Sequence, residues 1–179
     1  SFDFSEKSVL VTGASRGIGR AIAQAFASAG AEVWILAEDE SVFATAKSIE
    51  AKTAAVVHAL RCDISDAAAV KAALAPVHRI DVLINNAGYQ PRTPVLAACS
   101  ESDADFERVM AINVNGTWHV IRNALRTMPE GGRILVTSSI WGKTGAAEYA
   151  GYAASKHAVI GLVRSLALEL GPRAITVNA

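Results

Sequence analysis

The chain has 179 residues, 51% of them hydrophobic and 19% charged, with acidic and basic residues balanced at 17 each. That length suits one domain able to bury a full α/β core, and the absence of a basic excess argues against nucleic acid as a partner. No apolar run reaches the roughly 18 residues of a membrane span, residues 1–7 lack a signal-peptide pattern, and Cys62 and Cys99 form neither a metal motif nor a disulfide framework. The expectation is a soluble, cytoplasmic protein with no membrane partner, and Cys62 reads as a buried structural thiol.

Strand-length apolar runs alternate with helical patterns along the chain. Strands are predicted over 9–11, 32–36, 55–60, 82–84, 133–137 and 175–177, and helices over 18–28, 42–51, 67–74, 103–126 and 152–170. Several strands are apolar throughout, as when helices cover both faces. Right-handed crossovers then give an α/β fold, a doubly wound parallel sheet with ligands beyond the carboxyl ends of the strands. Gly30, the pair Gly131 and Gly132, and Gly171 before Pro172 stand where helices should stop.

The first strand halts at Gly13, turns through Ala14, Ser15 and Arg16, and opens a helix at Gly17, Ile18 and Gly19. A strand, a tight glycine turn and a helix N-terminus together hold phosphate through free backbone N–H groups and the helix dipole. The pattern points to dinucleotide binding, against the plainer alternative of a glycine-rich turn with nothing bound. After the second strand, Glu38 is the candidate to accept hydrogen bonds from the adenine ribose of NAD and to repel the extra phosphate of NADP. Arg16 pulls toward NADP, and the balance leans slightly to NAD. A helix N-terminal charge is the ordinary alternative for Glu38.

Asp63 follows the third strand and would either bond an adenine edge or cap the next helix. Asn85, Asn86, Ala87 and Gly88 end the fourth strand, where they would fix the loop bordering the cofactor or merely form a turn. Residues 89–101 read as a loop. Asn113 sits within a long helical pattern in which asparagine has poor propensity. Its amide either faces solvent or turns inward, interrupts the helix and binds a water.

Ser138 and Ser139 close the fifth strand, and Tyr152 and Lys156 open the last helix four positions apart, hence on one face. A phenol ordinarily titrates near 10, and bringing one down by about 3 units takes about 4 kcal/mol, which a neighbouring ammonium can supply. A Tyr–Lys pair alone is commonly surface decoration. Beyond a serine-ended strand in a dinucleotide fold it becomes a candidate active site.

With these residues in order, the chain resembles a short-chain dehydrogenase/reductase, and among them 3-oxoacyl-carrier-protein reductases and alcohol, steroid and sugar dehydrogenases. The resemblance rests on residues 12–19, Asp63, residues 85–88, Asn113, Ser139, Tyr152 and Lys156. It implies a single Rossmann domain over 1–179 that binds the dinucleotide and carries the catalytic residues. Tyr152 would be the general acid/base, Lys156 would bind the nicotinamide ribose and favour the phenolate, and Ser139 would orient a carbonyl or secondary alcohol. Asn113 would position a water in a proton relay through Lys156. NAD(H) or NADP(H) would be lined by the glycine turn with Ser15, Arg16 and Ile18, by Asp63 and Ile64, and by Asn86, Ala87 and Gly88. The family's spacing selects Ser139 over Ser138, and Tyr149, a rival phenol, has no lysine four residues on. Trp141, Tyr149, Gln90 and Arg92 are candidate substrate contacts or rim residues.

The resemblance also implies a homodimer or homotetramer built on the helices over 103–126 and 152–170, although Ala158, Leu162, Leu166 and Leu170 would equally pack on the sheet. The family continues past residue 178 with a Pro-Gly turn, a substrate lid, a helix and a seventh strand, so the expectation is a chain truncated at the C-terminus. Two other readings stand beside hydride transfer: a non-catalytic dinucleotide-binding member, and a nucleotide-sugar epimerase or dehydratase, which the form of the glycine turn and the chain length disfavour.

Overall fold

The computed structural model describes residues 2–96 and 100–179, so Cys99 and part of the loop expected over 89–101 lie outside the described residues. The elements are β1 (Ser8–Thr12), α1 (Gly17–Ser28), β2 (Glu32–Ala37), α2 (Ser41–Thr53), β3 (Val57–Arg61), α3 (Ala67–Ala73) and β4 (Val82–Asn85). They continue with α4 (Ser100–Met110), α5 (Thr117–Ala124), β5 (Arg133–Val136), α6 (Ala150–Leu170) and β6 (Thr176–Asn178). All neighbouring strands pair in parallel in the order β3-β2-β1-β4-β5-β6. The order reverses between β1 and β4, and at such a switch point the crossovers part to opposite faces and open a crevice at the strand ends.

Alternation along each strand divides the core in two. Val9, Val11, Val33, Ile35, Val82 and Ile84 are buried on one face with apolar residues of α1 and α2. Leu10, Leu36, Leu83, Ile134 and Val177 face the other way, into a cluster with Val70 of α3, Val120 and Ile121 of α5, and Val159 and Val163 of α6. Each buried side chain of this size contributes about 1.5–3 kcal/mol. Leu166 and Leu170 join that core and Leu162 packs against it, so this stripe of α6 is taken up by the sheet. On the opposite face, Leu135 of β5 is 44% exposed, and Arg133, Thr176 and Asn178 share its exposure.

Two departures from the expected elements have local causes. The third strand begins at Val57 rather than at 55, because Ala54 ends α2 in a left-handed conformation (φ 57°) with its N–H donating to Glu50 O. The long helix expected over 103–126 is broken by a π-helical turn, Ala111–Gly116, between α4 and α5. No described helix is long and apolar enough to cross a membrane.

At the amino-terminal end of the sheet, the Asp81 carboxylate joins the segment before β4 to the start of β1. It takes two bonds from Arg79, at 2.9 and 2.8 Å, and one from Ser8 N at 2.9 Å. Burial pushes its carboxyl up, but the bonds from Arg79 and Ser8 together with the nearby charges outweigh this and hold it below the usual range. A depressed carboxyl adds stability above its unfolded value, near 3.8, and loses it as pH falls through the lower folded value. Asp81→Asn is expected to cost about 1–2 kcal/mol at pH 7, because the Arg79 left behind is itself half-exposed. Urea melts should show this deficit at neutral pH and a smaller one toward pH 3.

Candidate active site

The carboxyl ends of β1 to β5 border a cavity of about 610 Å³ that runs from the glycine turn to the N-terminal part of α6. Gly13, Ser15, Arg16, Gly17, Ile18 and Gly19 form one end, followed by Glu38, Asp63 and Ile64. Asn86, Ala87, Gly88, Tyr152 and Lys156 complete it, so every expected cofactor residue lines this space. Gly13 shows how tightly the turn is drawn. Its φ of 63° lies in the left-handed region, and a Cβ there would stand 2.7 Å from Ala87 Cα. Ile18, 67% exposed, offers an apolar surface at the mouth.

The turn is fixed from β1 and β4. Thr12 Oγ1 donates to Asn85 Oδ1 at 3.1 Å and accepts from the backbone N–H groups of Asn86 and Ala87, each at 3.0 Å. Asn85 is buried and donates to Thr117 O, while Asn86 Nδ2 donates to Thr12 O at 3.2 Å. The paired asparagines therefore hold the loop in place, as one of the two readings of that segment expected.

At the far end of β2 the structure adds a residue that the sequence reading passed over. Glu38 is exposed, whereas Asp39, which also lines the cavity, is half-buried and held by Ser15 Oγ at 2.8 Å and by the N–H and hydroxyl of Ser41. The bonds from Ser41 and then Ser15 keep Asp39 below the usual carboxylate range, hence ionised. Asp63 does not cap α3. Its Oδ1 accepts from the N–H and hydroxyl of Ser65, and Asp66, one turn closer to the helix, accepts from Ala68 and Ala69. Cys62 is buried, and burial raises its thiol to about 11, so it stays protonated and unreactive.

Asn113 lies in the π-helical turn and is 1% exposed, with its amide directed inward. Oδ1 accepts from Tyr89 N at 2.8 Å; Nδ2 donates to Tyr89 O and to Ser155 Oγ, both at 3.0 Å. Ser155 in turn donates to Tyr152 O at 2.7 Å. Both amide N–H donors are thus spent on protein partners, so a water held by this residue would be taken through an oxygen. Asn113 positions the loop after β4 against the helix that carries Tyr152.

Lys156 is 4% exposed and donates from Nζ to Thr137 O at 2.7 Å, with Nζ 5.5 Å from the centre of the Tyr152 ring. Burial pushes it down to about 8, and no carboxylate among the described residues pairs with it. A second phenol, Tyr89, also lines the cavity, but its hydroxyl donates to Asp105 at 2.9 Å, which pushes its titration up.

Ser139 lies outside this lining. It borders a second cavity of about 620 Å³, with Ser138 and residues of α6 and β6. Its Oγ accepts from Trp141 N at 3.2 Å, leaving the hydroxyl proton available, while Ser138 donates to Lys156 O at 3.4 Å. Trp141 connects this segment to the helix, packing edge-on against Tyr152 at 5.8 Å and tilted against Tyr149 at 4.9 Å. Gln90 lines the main cavity, and Arg92 pairs with Glu148.

A family profile described as short chain dehydrogenase matches residues 7–179. The chain belongs to the short-chain dehydrogenase family. It is 35% identical over 181 residues to a 3beta-hydroxysteroid dehydrogenase of Mediterraneibacter gnavus, a match covering 98% of this chain and 65% of that protein. It superposes with a TM-score of 0.90 and 37% identity on a short-chain dehydrogenase from Burkholderia cenocepacia in complex with NADP, covering 98% of this chain and 73% of the other. The fit to an NAD+-bound xylitol dehydrogenase is similar, with TM-score 0.91, 36% identity, and 98% and 69% of the two chains covered. This short-chain dehydrogenase spans about two thirds of the length of the curated relatives it matches.

A lysine depressed from 10.5 to about 8 is less readily protonated folded than unfolded. The unfolded chain then binds more protons between those values, and stability rises with pH across that window. Below it the buried ammonium costs about 3 kcal/mol. Lys156→Met is expected to raise the melting temperature of the cofactor-free protein at pH 7 and to flatten the rise between pH 8 and 10.5, both measurable by calorimetry.

Proposed function

We propose that this chain is an NAD(P)-dependent oxidoreductase interconverting a small-molecule carbonyl compound and its secondary alcohol, with Tyr152 as the general acid/base. The observation that carries the reading is Lys156, a buried ammonium with no carboxylate partner among the described residues, set beside a phenol in the cavity that the glycine turn opens. The turn fits a dinucleotide because its backbone is drawn in too tightly for side chains: one at Gly13 would meet Ala87 beyond β4, and one at Gly19 would meet the carbonyl of Gly13. When bound, the nicotinamide supplies or accepts the hydride at its C4 position.

In the reducing direction, Tyr152 Oη gives its proton to the carbonyl oxygen as that oxygen gains charge. The positive charge of Lys156 stabilises the phenolate left behind. By the family resemblance the free hydroxyl proton of Ser139 would orient the carbonyl oxygen, although Ser139 borders the second cavity and meets Tyr152 only through Trp141. Lys156 keeps its bond to Thr137 O and has further N–H donors for ribose hydroxyls. Oxidation reverses these transfers, with the phenolate removing the alcohol proton.

The finer cofactor reading is NAD. Ionised Asp39 and exposed Glu38 at the adenosine end oppose a 2′-phosphate, and they outnumber Arg16 on that rim. We also place the protein in the cytoplasm as a homodimer or homotetramer. The buried free thiol of Cys62 supports the first, and Trp118 and Leu168, 37% and 83% exposed on α5 and α6, support the second.

Tyr152→Phe should lower turnover at least about 100-fold while cofactor affinity stays within about threefold, read by NADH oxidation against a ketone panel and by fluorescence titration. A variant that keeps its turnover would defeat the assignment. In the same titrations wild type should favour NADH over NADPH, and Asp39→Asn should narrow the preference by roughly tenfold, about 1.4 kcal/mol. A wild-type preference for NADPH would overturn the choice of cofactor.

A further inference from the structure

The helix carrying Tyr152 and Lys156 does not cap itself. The first turn of any α-helix has N–H groups without intrahelical partners, and Tyr149, at the N-cap of α6, gives no side-chain bond. Its ring lies against Trp141 instead. The residue before it, Glu148, is left-handed at φ 64°, a conformation unfavourable for a residue with a side chain. Something outside the segment must hold this entry in place.

Thr93, from the loop that leaves β4, does so. Its Oγ1 accepts from Gly151 N at 3.0 Å, its own N–H donates to Glu148 O at 2.6 Å, and its backbone bridges to Tyr149. Arg92 beside it pairs with the Glu148 carboxylate. Thr93 is 4% exposed, so solvent has little room to replace its hydroxyl. A Cβ on Gly151 would stand 3.2 Å from Thr93 Cγ2 and 3.1 Å from Phe106 Cδ2, so a side chain there would push the loop or Phe106 back by a few tenths of an ångström.

The same loop grips the helix a second time. Its start, Tyr89, is bonded by Asn113, and Asn113 reaches Tyr152 O through Ser155. Tyr152 therefore sits between two anchor points of one loop, with the Thr93 bond on the residue immediately before it. We propose that Thr93 is a positioning residue for the reaction: its hydroxyl caps α6 from a distance in sequence and fixes the attitude of the Tyr152 phenol. The proposal rests on the reading of Tyr152 as acid/base. A displacement of about 1 Å at a reacting group is enough to cost about 100-fold in rate.

Thr93→Val removes the acceptor and keeps the shape, while Thr93→Ser restores the acceptor. Each is compared with wild type and Tyr152→Phe using NADH and the panel ketone that turns over fastest. Thr93→Val is expected to lower kcat 10- to 100-fold and displace its pH profile, with ketone KM and NADH Kd within threefold of wild type. Hydrogen exchange at the Gly151 amide should quicken at least tenfold. Thr93→Ser should recover kcat to within threefold and superimpose on the wild-type pH profile. Gly151→Ala, which presses the loop away while leaving Thr93 intact, should reproduce the kcat-selective loss and stands in if Thr93→Val does not fold. Wild-type kcat in Thr93→Val, or a Thr93→Ser variant as impaired as Thr93→Val, overturns the role of Thr93. Turnover retained in Tyr152→Phe overturns instead the reading of the site on which the role rests.

Discussion

The site depends on one hydroxyl at the place where the sheet reverses its order. Thr12 is fully buried at the end of β1, and its Oγ1 serves one acceptor and two backbone donors of the chain leaving β4. Those N–H groups lie beyond the last paired residues of the ladder, where no strand can satisfy them. Leaving a buried donor unpaired costs about 1–3 kcal/mol, so the hydroxyl holds the two strand ends at one level. The glycine turn and residues 86–88 can then face each other across the crevice. An aliphatic side chain of the same shape would fill the space and leave those bonds unmade.

From that junction the cavity separates two electrostatic environments. At the β2 end, bonds from Ser41 and Ser15 keep Asp39 ionised. At the α6 end, Lys156 is a desolvated cation with no carboxylate partner among the described residues. A charge left unpaired in a buried place is normally selected against. Its presence beside a phenol is the feature on which the proposed chemistry rests.

Features set by local spacing were readable in the sequence. The glycine turn, the apolar strands of a doubly wound sheet, and the shared face of Tyr152 and Lys156 each follow from residues a few positions apart. What escaped was decided by direction or by distance. Glu38 and Asp39 are adjacent, and only the fold shows that Asp39 turns to Ser15. Asp63 and Asp66 both suit a cap, and the backbone path gives that place to Asp66. Thr93 meets Gly151 through a contact that neither segment announces. Ser155 stands three residues after Tyr152, yet its bond to Asn113 depends on a turn that periodicity of 3.6 cannot reveal.

That turn has a geometric consequence for the rest of its helix. A π-helical turn takes in one residue more than an α-helical turn, and each residue of an α-helix advances the side-chain direction by about 100°. Residues 111–116 therefore act as a phase shift. The face that α4 presents and the face that α5 buries against β4 and α3 are out of step with a continuous helix. Losing a single residue from this stretch would restore regular winding and rotate either Asn113 away from Tyr89 or Val120 and Ile121 out of the core. The helix can keep its asparagine inside and its apolar stripe on the sheet only by being irregular at this point.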